Sequence, residues 1–336
     1  MFGEAAAAGR ANHLRGIQMT GLGNRAINPG LEWRAAVWRK VKRSLPYYAL
    51  ILIPLIILLV FKYYPMYGVT LAFKDYKVSQ KIAGSPWTEP LFRHFTRFLT
   101  APSAVRVITN TFTISLYSLL ASFPIPILLA IGLNELRSNR LKKTVQLITY
   151  MPYFISTVVL VSMIIQFTDL SYGFVNQVIK AFGGQPVNFM GNKDYFRHIY
   201  VWTSVWQTTG YSAVVYLAAL SGVDQELYDA AVVDGASKVK RILHIDLPSI
   251  APTIIILFIL NTGSILSVGF EKIYLMQNNT NLSVSEVIST YVYRMGLVNQ
   301  NYSYSTAVGL FNAVVNCTML LLCNAIARRV SDVGLW

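Results

Sequence analysis

Charge is scarce in this sequence, and cysteine is almost missing. Asp, Glu, Lys and Arg together supply 13% of the 336 residues, about half the share in an ordinary soluble domain. That excludes a chain that surrounds its core with a broad solvated surface. The two cysteines, Cys317 and Cys323, lie in one apolar run six positions apart, on different helical faces, so they are poorly placed for a disulfide or a metal pair and read as small core hydrophobes. Residues 1–46 are polar and basic and contain no early apolar core ending in a small-residue cleavage site. No signal peptide is expected, and the basic tail is expected to stay attached. No G-x-x-x-x-G-K-[ST] phosphate loop occurs, since GASKVK at Gly235–Lys240 lacks the spacing. The histidines His13, His94, His198 and His244 are scattered. None stands beside a nucleophile in an apolar run, so neither a catalytic residue nor a metal site is expected. An intramembrane enzyme would need paired acids or a Ser–His arrangement inside the apolar runs, and a proton-driven secondary transporter would need a buried Asp, Glu or His at mid-membrane; neither pattern is present.

What the sequence does have is apolar length. Hydrophobic residues make up 54% of it and the mean hydropathy is +0.45, which together indicate a membrane protein. A formal net charge of +14 would suggest nucleic acid for a soluble chain, but in a bilayer protein it indicates basic cytoplasmic loops, and no nucleic-acid partner is expected. Six stretches stay free of charge over most of about 20 residues, the length a helix needs to cross the hydrocarbon layer. They are 48–61, 108–133, 145–167, 199–220, 250–270 and 306–327. Lys62 with Tyr63 and Tyr64 gives the first an interfacial end. The expected fold is therefore an all-α membrane protein of about six transmembrane helices.

The basic residues set its orientation. With the amino terminus in the cytoplasm, seventeen of the 29 Lys and Arg lie inside: eight in the tail (Arg10, Arg15, Arg25, Arg34, Arg39, Lys40, Lys42, Arg43), and the rest at 137–143, 238–241 and 328–329. Both termini are then cytoplasmic. The remaining twelve, among them Lys74, Arg93, Arg97, Arg106 and Lys272, fall in external segments against six acids. That external excess would attract an acidic partner or substrate, or simply anionic lipid headgroups. Within the spans, Pro124, Pro126, Pro152, Gln207, Thr208, Thr209, Gly210, Asn261 and Ser264 are more polar or more disruptive than a plain anchor needs. Each alone can be helix-to-helix glue, while the cluster in the fourth and fifth spans favours a pathway.

Between those two spans lies YDAAVVDGASKVKRILHIDLP, residues 228–248. Asp224 can cap a first short helix, and Ala230, Ala231, Gly235 and Ala236 leave a face with little bulk. Ser237 can cap a second short helix running to about Ile245, with Val239, Ile242 and Leu243 along one apolar edge. Pro248 would close the loop and open the next span. An amphipathic loop lying in the headgroups is the alternative, but the acids Asp224, Glu226, Asp229, Asp234 and Asp246 outnumber Lys238, Lys240 and Arg241 there.

Asp229-Ala230-Ala231, then Asp234-Gly235-Ala236, then Ile245-x-Leu247-Pro248, with nine residues between Gly235 and Ile245, resembles the EAA loop of permease subunits of binding-protein-dependent ABC importers. The departures are Asp229, where the family usually has Glu, and Ile242, where Phe is common. The resemblance runs from about residue 101 to the carboxyl terminus. Two further patches, YYPMYGVTLAFKDYK at 63–77 and GSPW at 84–87, are similar to the carbohydrate-uptake, maltose-type first permease, closer to the subgroup for polysaccharide and oligosaccharide fragments.

The resemblance implies a basic tail at 1–46, a first span with an external segment at 47–107, and a permease core at 108–330 whose loop 224–248 is the coupling helix-turn-helix. In the family, residues at the positions of Asp229, Ala230, Ala231, Asp234, Gly235, Ala236, Ile242, Ile245, Leu247 and Pro248 seat in an ATPase subunit. The implied partners are a second related permease, two ATP-binding subunits and an external or periplasmic solute-binding protein, all at the bacterial cytoplasmic (inner) membrane and its lipid. This chain would bind no cofactor itself, and ATP and Mg would belong to the ATPase subunits. By position relative to the loop, Trp206, Gln207, Thr208 and Tyr211 in the fourth span and Asn261, Ser264, Ser267 and Phe270 in the fifth resemble the region where the maltose-type subunit meets sugar. Helix packing is the alternative for each. The implied cargo is an oligosaccharide, neutral or acidic, such as an alginate or pectin fragment.

Overall fold

The structure is a computed structural model that describes residues 29–331 and 334–335; the side chains of residues 29–37 and 39 are outside the description. Of the tail arginines, Arg10, Arg15 and Arg25 lie outside the described residues. The chain forms two units, one ending at Tyr67 and the other starting at Gly68. In the first, helix α1 spans Pro29–Leu58, beginning well before the apolar run at 48. Residues 31–45 are rich in Ala, Leu, Arg and Lys, which favour helix, and Pro29 sits at the helix start, where its missing N–H costs nothing.

The second unit is built almost wholly of helices: α2 (Arg93–Thr100), α3 (Pro102–Ser122), α4 (Pro124–Asn134), α5 (Asn139–Tyr150), α6 (Thr157–Phe167), α7 (Phe174–Ala181), α8 (Lys193–Ser221), α9 (Gln225–Val233), α10 (Lys238–Thr262), α11 (Phe270–Met276), α12 (Ile288–Tyr293) and α13 (Tyr302–Ser331). Among the described residues there is no strand, only an isolated bridge between Lys74 and Trp87. That bridge joins the two patches FKDYK and GSPW into one loop. Lys74 Nζ donates to the Ile82 and Ala83 carbonyls at 2.8 and 3.2 Å, and the Tyr76 N–H reaches Ser303 Oγ on α13 at 3.0 Å.

Among the described residues four helices are long and apolar enough to cross a membrane: Lys40–Phe73, Pro102–Asn134, Lys238–Thr262 and Tyr302–Ser331. A fifth results if the bent pair Asn139–Phe154 and Thr157–Phe167 counts as one span. The expectation was about six, and the difference lies in α8. Residues 199–220 do lie in one continuous 29-residue helix, α8, but its stretch TSVWQTTGYS at 203–212 makes it less apolar than the others.

Two further expected spans also differ. The run 145–167 is not one rod but turns through 97°. Pro152 sits in the tight turn Met151–Phe154, Ile155 is extended, and Ser156 starts α6 by accepting from the Val159 N–H, so the ladder is interrupted. The run 250–270 stops early: α10 ends at Thr262, residues 263–266 form turns, 267–269 are irregular, and Phe270 opens a new helix. Thr262 Oγ1 donates back to the Phe258 carbonyl at 2.9 Å, and Asn316 of α13 holds the unwound backbone by accepting from the Leu266 N–H at 3.0 Å. Non-helical backbone at membrane depth survives only where protein or a wet cavity satisfies it.

α8 organises the packing. Its first half, Phe196, Tyr200, Val201 and Val205, packs with Ile114, Leu160, Ile164 and Ile273. Its other half, Ala213, Tyr216 and Leu220, packs with Ile127, Ala130, Ile131 and Ile250. A third core joins Phe98 and Val107 to Tyr291, Tyr304 and Val308. In lipid such contacts rely on close fit more than on water exclusion. The closest approach is at Gly210, where an added Cβ would stand 2.0 Å from the Thr149 carbonyl oxygen, so α8 can cross α5 only with glycine there.

Candidate functional site

Two features stand out in the second unit, a cavity with polar groups in its wall and the loop between α8 and α10. The cavity measures about 520 Å³ and lies between α3, α4, α8, α10 and the unwound residues 263–269. Five residues expected on a pathway line it: Thr208, Tyr211, Asn261, Ser264 and Ser267. Trp206, Gln207 and Phe270 do not. Trp206 is half exposed elsewhere on α8, and Phe270 stacks on Tyr274 with ring centroids 5.4 Å apart. Gln207 Nε2 donates to the Ile155 carbonyl at 3.0 Å, satisfying the acceptor freed where α5 and α6 part.

Sequence reading missed half of the polar wall. Ser115, Ser118 and Ser122 of α3 and Tyr200, Ser212 and Tyr216 of α8 also line the cavity. The i, i+3, i+7 spacing of the three serines was a readable signal, because it sets them on one helical face. Ser115 Oγ and Ser118 Oγ are buried with no partner among the described residues, and such hydroxyls are available to a ligand. Tyr211 stacks flat on Tyr153, centroids 3.9 Å apart, so its ring is held in place. The wall thus offers hydroxyls, one amide and fixed aromatic faces, a lining suited to a polyhydroxylated molecule.

Lys272 lies one layer behind this wall. Only 7% exposed, it donates from Nζ to Ser204 Oγ at 2.7 Å and to the Tyr200 carbonyl at 3.3 Å, and its ammonium sits 5.2 Å from the Tyr200 ring centroid. This corrects its assignment to an external charge field. Lys74 is buried as well, Arg93 is paired with Asp75, and Arg106 and Arg294 both pair with the buried Glu286.

The loop is a helix-turn-helix. Asp224 caps α9 by accepting from the Glu226 N–H at 3.0 Å. At the other end Gly235 adopts φ +70°, and the Ala236 N–H bonds the Ala231 carbonyl at 2.9 Å, a Schellman closure that favours glycine. Ser237 then caps α10. The expected second short helix is a correction: α10 does not stop near 245 but runs on through Pro248 to Thr262. A π turn at Ile242–Asp246 shifts the hydrogen bonds just before Pro248, so the missing proline N–H leaves the helix unbroken.

Asp229, Ala230, Asp234, Gly235 and Pro248 are exposed, while Ala231, Ala236, Ile245 and Leu247 are half-buried. The expected apolar edge divides. Val239 and Leu243 are exposed, whereas Ile242 is half-buried against the core around Ile250. Two contacts fix the loop to the helices. Glu135, which caps the end of α4, receives Arg241 at 3.5 Å and Lys238 at 3.7 Å. Tyr228 donates its phenol to Asp246 Oδ1. Burial, and then the hydrogen bond and charge of Asp246, push the Tyr228 phenol up to about 12. Asp246 is 0% exposed, and its Oδ2 has no partner among the described residues.

Residues 122–332 match the family described as binding-protein-dependent transport system inner membrane component. The chain belongs to this family. The permease is 41% identical over 307 residues to Protein LplB of Bacillus subtilis (strain 168), covering 91% of this chain and 95% of that one. It is also 41% identical over 289 residues to the polygalacturonan/rhamnogalacturonan transport system permease protein YteP of the same organism, covering 86% and 89%. Among solved structures it is similar to a chain of a bacterial alginate ABC transporter in complex with an alginate pentasaccharide-bound periplasmic protein, with TM-score 0.81 and 39% identity over 89% of this chain and 99% of that one. The permease is accordingly a multi-pass component of the inner membrane and a part of a transport system.

Proposed function

We propose that this permease forms part of the translocation path for an acidic oligosaccharide in an ATP-driven importer. The observation that carries this reading is the cavity, whose hydroxyl, amide and aromatic wall lies where α10 is unwound and α5 parts from α6. The cargo class is supported by relatives that serve polygalacturonan, rhamnogalacturonan and alginate. In this reading α8 supplies the sixth span, both termini are cytoplasmic, and loop 224–248 is the coupling element. A second related permease closes the path, and an external solute-binding protein delivers the saccharide. Two ATPase subunits hold ATP and Mg and seat the loop, so that motor closure favours one arrangement of the path through its differential contact with that loop.

The test is ATPase activity of the complex assembled with its native partners, with binding protein added in the presence of neutral and uronic oligosaccharides. Stimulation by uronate chains is expected. Stimulation by neutral chains alone would remove the acidic cargo, and no saccharide response at all would remove the carbohydrate reading.

A further inference from the structure

Four charged side chains are deeply buried among the described residues of the second unit, and three have an evident structural reason. Glu286 is paired by Arg106 and Arg294, Asp246 accepts from Tyr228, and Lys74 ties the 82–87 loop through two carbonyls. Lys272 differs in its place. Like Lys74 it forms no ion pair among the described residues and spends two of its three donors on neutral oxygens, but those oxygens belong to the helix that walls the cavity rather than to a loop of its own. Both of its contacts belong to the cavity's own helix: Tyr200 lines the cavity, Ser204 lies one turn before the lining Thr208, and Val268 and Gly269, just upstream of Lys272, line it too. Holding an ammonium out of water without an anion is costly, and glutamine or methionine would fill the same space without that cost.

We infer that Lys272 reads the carboxylates of the saccharide: its field, little screened in this setting, reaches into the cavity and favours chains that carry an anion on each ring. The inference rests on the proposed saccharide path and adds to it the residue that sets charge preference. Lys272 is a specificity residue, and its missing counter-ion is the cargo itself. Burial lowers the Lys272 ammonium to about 7, so a passing uronate favours its charged form while it occupies the cavity and the lysine can give up the proton when the uronate departs; the site is favourable to enter and does not retain a permanent partner.

Three variants in the assembled complex test this: Lys272→Gln, which keeps a hydrogen-bonding group and loses the charge; Lys272→Arg, which keeps the charge; and Ser204→Asp, which supplies a permanent counter-ion. The readout is uptake of a galacturonate oligosaccharide delivered by the binding protein, beside ATPase activity with unliganded binding protein. Lys272→Gln and Ser204→Asp are each expected to lower uptake by about tenfold or more, as when one member of a buried charge pair is lost, while Lys272→Arg stays within about threefold of the parent and the unliganded ATPase activity is unchanged in all three. Wild-type uptake by Lys272→Gln or by Ser204→Asp overturns the inference, as does Lys272→Arg falling as far as Lys272→Gln, which marks a packing role. If Lys272→Gln fails to assemble, Ser204→Asp decides. A parent complex that imports uronates while the variants match it removes the lysine's role alone; a parent that responds only to neutral chains removes the acidic cargo with it.

Discussion

Tyr228 and Asp246 sit 18 positions apart, one on α9 and one at the foot of the long helix α10, and their hydrogen bond closes the loop on itself. Because the carboxylate is fully buried and its second oxygen lacks a partner among the described residues, the phenol is its main compensation. Replacing Tyr228 by Phe is expected to cost about 1–3 kcal/mol, the usual penalty for orphaning a buried polar group, and to lower the melting temperature of the purified complex. Adding Asp246→Leu to that variant is expected to recover most of the loss, because neither polar group then remains. A Tyr228→Phe variant that melts with the parent would refute the role of the contact. The phenol is raised to about 12, so it stays protonated, and stays a donor, at every pH below that value. Tyr228 therefore gives no pH dependence to stability well below its ordinary value of 10, and stability is expected to fall as the pH rises from there toward about 12.

At the scale of elements, the loop's turn and its surface are separable. Gly235 faces open space within the chain, since an added Cβ meets nothing within 4 Å, but its φ of +70° is strained for any other residue. Gly235→Trp is thus expected to leave the permease inserted and folded while abolishing copurification with the ATPase and uptake; a variant that still binds the ATPase and transports would refute the coupling role of the loop. Much of this element was legible beforehand. The caps at Asp224 and Ser237 and the turn at Gly235 follow from local chemistry that the sequence carries directly. What was not legible depends on context. Pro248 reads as a break, but a π turn of ordinary residues before it lets the helix continue. Pro152 announces a disturbance without fixing a 97° turn, which takes the Gln207 side chain from another helix to satisfy. Lys272, following an apolar run, reads as a charge of an external segment because nothing local reveals that α8 covers it. Ser115, Ser118 and Ser122 were readable by spacing, and only their common destination needed the fold.

For the whole molecule, orientation is the property most open to direct measurement. With Cys317 and Cys323 replaced, a cysteine at Gly183 is expected to react with a membrane-impermeant reagent added outside intact cells or spheroplasts, and one at Val233 only after the membrane is opened; the reverse pattern would invert the proposed topology. The loop holding Val233 has one more consequence. Leu227, Val232, Val233 and Val239 stand exposed among its charges, Val233 at 87%, and nothing among the described residues covers them. A newly made copy therefore carries an adhesive spot into the cell, of the kind that draws chaperones and proteases to an unassembled chain. In the proposed assembly a partner would cover that spot, and the amount of this protein in a cell is then expected to follow the supply of that partner rather than its own rate of synthesis.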